Sequence, residues 1–135
     1  MSEKEDRLTG EDGIKVEYTT SNFTIHKFNA VISERKIVYQ VVKMTDSLLI
    51  FINEKDNMQF STLFLSLMNR YDTQPICTRL FGDFTVEVSK GIASRLAKKL
   101  CKAVYVSCNM EEDRTLLTLI EQRMYEEIKE NPDMF

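Results

Sequence analysis

A chain of 135 residues with 43% hydrophobic side chains is the size of one domain and can bury a substantial core. The formal charge is −3, and all of it sits in residues 1–13, where Lys4 and Arg7 face Glu3, Glu5, Asp6, Glu11 and Asp12. The body beyond is neutral, which excludes general nucleic-acid binding because that needs a basic surplus.

Residues 1–20 read as an acidic, disordered tail, and residues 21–135 as a single domain. Residues 23–32, FTIHKFNAVI, predict a first strand, and Ser33-Glu34-Arg35 a tight turn. Residues 36–44, KIVYQVVKM, are β-branched and aromatic and predict a second strand. Thr45-Asp46-Ser47 offers short polar side chains that suit a turn, and LLIFI at 48–52 predicts a third strand. Three strands in succession favour an antiparallel meander.

Residues 53–57, NEKDN, form a polar loop that ends in a potential N-cap. Phe60, Leu63, Phe64, Leu67 and Tyr71 then fall on one helical stripe, so residues 58–71 predict a helix that Pro75 blocks from continuing. Residues 76–81, ICTRLF, predict a fourth strand, closed by a Gly82-Asp83 turn. In residues 89–101, Ile92, Leu96 and Leu100 make a core stripe. Arg95, Lys98, Lys99 and Lys102 share the opposite, basic face. Val104, Val106 and Cys108 alternate with Tyr105 and Ser107 in a strand over 103–108. A long helix follows, with Glu111, Glu112 and Asp113 at its start, Leu117, Ile120, Met124 and Ile128 as its stripe, and Pro132 beyond its end.

The expected order is β-β-β-α-β-α-β-α, an α/β (α+β) domain with a mostly antiparallel sheet and three helices. LLIFI has apolar side chains on both faces, as does the second strand. If the helices cover one sheet face, the other stays apolar and exposed, which marks an interface. Dimerisation through apolar sheet surface is therefore expected, with Ile37, Tyr39, Val41, Leu49 and Phe51 as candidate interface residues.

Catalytic readings find little support. The lone histidine, His26, sits on a mixed strand face, where histidines are mostly structural. Cys77, Cys101 and Cys108 form no CxxC pair and read as small, reduced hydrophobes. No phosphate-cradling glycine motif occurs, and no metal or cofactor is expected. The charge at 111–113 is explained by helix-start electrostatics without a cation. The basic face of Arg95, Lys98, Lys99 and Lys102 has three readings: a solvated helix face, a docking patch for an acidic protein surface, or a weak nucleic-acid footprint. No apolar run approaches 18 residues and residues 1–12 hold no hydrophobic leader core, so the cytoplasm, and also the nucleus, is the expected compartment.

KMTDSLLIFI at 43–52, MNRYD at 68–72, LFGD at 80–83, GIASRLAKKLCKAVYVSCNM at 91–110 and EEIKENPDMF at 126–135 together resemble the proteasome assembly chaperone 4 family. The resemblance covers residues 23–135; the tail and the 53–58 loop are poorly matched. It implies a non-enzymatic chaperone that pairs with a related subunit, proteasome assembly chaperone 3, as a heterodimer. That pair engages proteasome alpha-type subunits early in alpha-ring assembly and leaves before the core particle is complete. Chaperones that insert a hydrophobic-Tyr-X tail into ring pockets are a different pair, and Asp133-Met134-Phe135 lacks the tyrosine. Arg95, Lys98, Lys99 and Lys102 are the candidate client-docking residues. In isolation the chain is open to self-pairing. A different reading is a small α/β ligand-binding or trafficking module, in which the greasy 58–71 helix covers an apolar pocket.

Overall fold

In the computed structural model, which describes residues 13–71, 73–83 and 85–135, β-branched and aromatic runs form a six-stranded sheet. Strands β1 (Thr24–Ile32), β2 (Arg35–Lys43) and β3 (Ser47–Glu54) make the expected antiparallel meander. Ser33 and Glu34 both take positive φ, 50° and 67°, which lets a two-residue hairpin follow the right-handed twist of the strands it joins. The Met44 N–H donates to the Ser47 carbonyl at 2.9 Å and closes the next turn.

The chain then departs from the expected order. Residues 58–71 hold no helix: residues 58–62 have no regular structure and Leu63–Met68 is strand β4. Asn57 does not cap a helix; its N–H donates to Glu54 O at 3.0 Å in a turn. LFLSLM is apolar on both faces, and such a run fits a buried strand and a helix stripe equally well. Its inward positions, Phe64 and Ser66, are buried, and a buried serine breaks the pattern that an apolar count sees. Strand β5 (Pro75–Phe81), helix α1 (Val88–Leu100), strand β6 (Ala103–Cys108), helix α2 (Arg114–Glu130) and a 3-10 turn (Pro132–Met134) complete the described residues. Among the described residues two helices are thus present where three were expected, and the order is β-β-β-β-β-α-β-α.

The spatial order is β1-β2-β3-β6-β4-β5. β6 lies parallel to β3 and antiparallel to β4; the other pairs are antiparallel. Both helices pack on one face. There Ile37, Tyr39, Val41, Leu48, Ile50, Ile52, Val104 and Val106 are fully buried beneath Ile92, Leu96, Ile120 and Met124.

Polar anchors fix the helices to the sheet. The Tyr39 hydroxyl donates to the Ile120 carbonyl at 2.9 Å inside the core. Ser89 Oγ accepts the Cys108 N–H at 2.8 Å, tying the start of α1 to the end of β6. Asp113 caps α2, accepting from Thr115 N at 3.0 Å and Leu116 N at 3.3 Å. Glu111, beside it, bridges to Arg35 at 3.0 Å. Cys101 ends α1 in the left-handed region at φ 52°.

The C-terminal half of α2 is held at Glu127, a buried carboxylate. His26 Nε2 lies 2.8 Å from its Oε2, Arg123 donates to Oε1 at 2.8 Å, and Asn131 Nδ2 donates to Oε2 at 2.7 Å. Phe135, also buried, packs edge-on against the rings of His26 and Phe28.

Burial pushes the Glu127 carboxyl up, but the hydrogen bonds from His26, Arg123 and Asn131 outweigh it and leave the group below its ordinary 4.5. The unfolded chain therefore takes up this proton first. The contribution to stability is complete above about pH 4.5 and is lost as pH falls through the lower folded value. Glu127→Gln should cost about 1–3 kcal/mol at pH 7 and flatten the acid limb of the stability profile, read by urea denaturation from pH 3 to 7. Tyr39→Phe should cost about 1 kcal/mol at every pH in that range.

Candidate functional site

One face of the sheet is covered by no helix among the described residues. One cross-strand row spans all six strands: Ile25, Val42, Leu49, Tyr105, Leu65 and Thr78 are successive ladder neighbours. Val42, Leu49, Tyr105 and Leu65 are half-buried by their neighbours alone, with no helix above them. Phe60 leans on Phe51 at 5.2 Å and on Phe81 at 4.9 Å between ring centres, both edge-to-face. Leu67, Ile76, Leu80 and Phe81 carry the apolar surface to the β5 edge, each more than a third exposed.

The expected interface set divides here. Leu49 and Phe51 lie on this open face. Ile37, Tyr39 and Val41 do not: they are fully buried under the helices and cannot meet another chain. The register explains this, because Tyr39 pairs with Ile52 and Val41 with Ile50, both on the covered side. Val38 and Val42 are the apolar β2 residues that face outward, alongside Lys36 and Gln40.

A strap shapes one end of the open face. The link from β3 to β4 must pass the end of β6, and Asn109 sits there. Asn109 Oδ1 accepts from Ser61 N at 3.0 Å and Ser61 Oγ at 2.9 Å, and its Nδ2 donates to Gln59 O at 2.7 Å. Asn53 Oδ1 accepts from Gln59 N at 2.8 Å. These bonds hold Phe60 in place over the sheet. The LFGD segment is explained by the same neighbourhood. Gly82 has φ 125°, and a Cβ there would come 2.8 Å from Thr62 Oγ1, while Asp83 accepts from Thr85 N at 2.9 Å.

The basic face of α1 is partly used within the domain. Arg95 forms a two-pronged bridge to Glu121 on α2, through Nε at 2.7 Å and a second guanidinium nitrogen. The Tyr125 hydroxyl donates to the same carboxylate at 2.9 Å. Burial, then the Glu121 charge, pushes the Tyr125 hydroxyl up to about 12. The ammonium of Lys99 stands 5.4 Å from the Tyr125 ring centre. Lys102 Nζ donates to the main-chain oxygen of Phe135 at 2.7 Å, and its pKa is lowered by burial and by nearby Lys43. Lys98 and Lys99 are exposed at the last turn of α1, and Lys98 has no partner among the described residues. Arg95 and the α2 residues Leu117, Glu121 and Tyr125 line an open groove of about 870 Å³.

The remaining chemistry-bearing residues have structural surroundings. His26 is committed to Glu127. Burial pushes the Cys108 thiol up to about 12, which leaves little thiolate at neutral pH. Among the described residues no three His, Cys, Asp or Glu side chains cluster for a metal. The pocket expected beneath a 58–71 helix has no basis, because that segment is strand and strap. Tyr71, expected on the buried stripe of a 58–71 helix, is instead 89% exposed at the β4–β5 hairpin tip; Asp72 lies outside the described residues, as do residues 1–12.

The fold is shared with a solved structure. A chain from the crystal structure of a chaperone complex for yeast 20S proteasome assembly superposes with a TM-score of 0.58, covering 79% of this chain and 95% of that one at 12% identity. A family profile described as Proteasome assembly chaperone 4 matches residues 36–110. Mouse proteasome assembly chaperone 4 is 34% identical over 116 residues, 85% of this chain and 93% of the mouse protein. The human protein is 34% identical over 113 residues, 83% and 90% of the two chains. The chain belongs to the proteasome assembly chaperone 4 family.

Gly82→Ala places a side chain against Thr62 at a φ that L-residues rarely adopt. It should cost about 1–3 kcal/mol in denaturant unfolding, and Thr62→Ala in the same chain should recover the steric part of that loss.

Proposed function

We propose that this chain is a non-enzymatic chaperone for assembly of the alpha ring of the proteasome core particle. It works as a heterodimer with a proteasome assembly chaperone 3-like subunit and is released before the core matures. Family membership supports the assembly role. The observation that carries the mechanism is the row from Ile25 through Val42, Leu49 and Tyr105 to Leu65, ending at Thr78 on β5, on the face that no helix among the described residues covers.

Two sheets packed face to face through such rows bury their outward side chains in a shared layer about 10 Å thick. Leu49 and Phe51, with Val42, Tyr105 and Leu65, form the centre of this pairing surface, and the same face pairs with a second copy when the partner is missing. The helix side remains exposed in such a pair and is left for the client. Lys98 and Lys99 orient an acidic surface of an alpha-type subunit, while Arg95 and Lys102 mainly hold α2 and the C-terminal turn. Charge at an interface rim speeds capture more than it lengthens residence, which suits a chaperone that must leave. Work takes place in the cytoplasm and also the nucleus, without nucleic acid, membrane or cofactor.

Affinity purification from cells tests the class: recovery of the related subunit and free alpha-type subunits, with little mature core particle, is expected. Recovery of neither contradicts the proposal. Leu49→Asp with Leu65→Asp should abolish co-purification of the related subunit, while circular dichroism of the purified chain stays native. Lys98→Glu with Lys99→Glu should slow alpha-subunit capture about tenfold at low salt and leave stability within about 0.5 kcal/mol. Unchanged capture rules the basic patch out as the client surface.

A further inference from the structure

Residues 14–18 read Ile14-Lys15-Val16-Glu17-Tyr18, a period-2 pattern of apolar and charged side chains. The pattern is that of a half-buried strand, yet the segment is neither buried nor paired. Ile14, Val16 and Tyr18 are 61%, 37% and 50% exposed. Residues 13–23 hold no regular structure, and among the described residues no backbone hydrogen bond joins 14–18 to the sheet. A segment with a strand's side-chain order and unused backbone groups is a donor strand without an acceptor among the described residues.

The sheet has two edges, β1 and β5. On the open face the β1 edge is guarded by exposed Lys27, with exposed Lys36 on the strand beside it, and charges of this kind keep foreign strands away. β5 carries no such guard. Its open-face residues Ile76, Thr78 and Leu80 are uncharged, and Ile76 and Leu80 are 48% and 46% exposed.

Reach selects which β5 is used. The linker 19–23 spans at most about 16 Å when extended. β5 of the same chain lies about 24 Å from β1, five strand spacings away. In a face-to-face pair the second sheet is only about 10 Å off. A two-fold axis parallel to the strands sets β1 of one chain across from β5 of the other.

We infer that residues 14–18 add as a strand to the outer edge of β5 in a second copy of this chain, clasping the pair that the open faces form. Ile14, Val16 and Tyr18 extend the shared apolar layer past Ile76 and Leu80, and Lys15 and Glu17 point to solvent. This inference rests on the face-to-face pairing proposed above.

The test uses the purified full chain at about 100 μM, followed by sedimentation and by hydrogen exchange with peptide resolution. Dimers are expected, with slowed exchange in residues 14–18 and in β5. Ile14→Asp with Val16→Asp should weaken the dimer about tenfold or more while unfolding at the same denaturant concentration, because neither side chain is in the core. A dimer in which residues 14–18 exchange as freely as unstructured chain overturns the strand addition and leaves the face pairing standing. A chain that stays monomeric at this concentration overturns the strand addition and the self-pairing of the open faces, whereas loss of co-purification of the related subunit overturns the heterodimer.

Discussion

The two helices among the described residues can cover only one side of this sheet. Six strands at a spacing of about 4.8 Å make a surface roughly 24 Å wide, and two helices of about 10 Å diameter laid side by side cover that width once. α1 and α2 are both spent on the face that holds Ile50, Tyr39 and Val106. Nothing among the described residues is left for the other face except the strap that carries Phe60. The split between core and open face follows from this count, and so does the burial pattern along β3, where Leu48, Ile50 and Ile52 vanish and Leu49 and Phe51 do not.

The covered side is locked by directional bonds as well as by packing. Tyr39 fixes α2 to β2 by its hydroxyl, Ser89 fixes α1 to β6, and Glu127 gathers His26, Arg123 and Asn131 around one carboxylate. Arg95 and Glu121 then join the two helices to each other. A sheet stiffened from behind presents its open face in one shape. Such a face loses little conformational freedom on pairing, and the apolar row of Val42, Leu49, Tyr105 and Leu65 retains more of its contact energy.

Most elements were legible because their side-chain periods are unambiguous. β2 and β6 alternate cleanly, α1 carries an i, i+4, i+8 stripe, and α2 is bracketed by Asp113 and Pro132. The 58–71 segment was not legible. Phe60, Leu63, Phe64 and Leu67 satisfy a helical stripe, and only the free edge of β6 decides for a strand. The interface set mixed two faces because strand parity depends on register with β3, which no local pattern reveals. The basic face was read as free because its main partners, Glu121 and Tyr125, lie more than twenty residues further along the chain. The alternation in residues 14–18 was available but was absorbed into the acidic tail beside it.

The place of β6 bears on how the chain is made. It is the last strand in sequence and an inner strand in space, between β3 and β4. A ribosome releasing the chain from its N-terminus delivers the β1–β3 meander and the β4–β5 hairpin as separate pieces with no shared hydrogen bonds between them. Each piece waits with the edge that β6 will fill still open, β3 in one and β4 in the other, joined only through the strap, until residues 103–108 emerge and stitch both at once. The slow step of folding is then this long-range closure, and a chain cut short before β6 is two halves of a sheet with no seam.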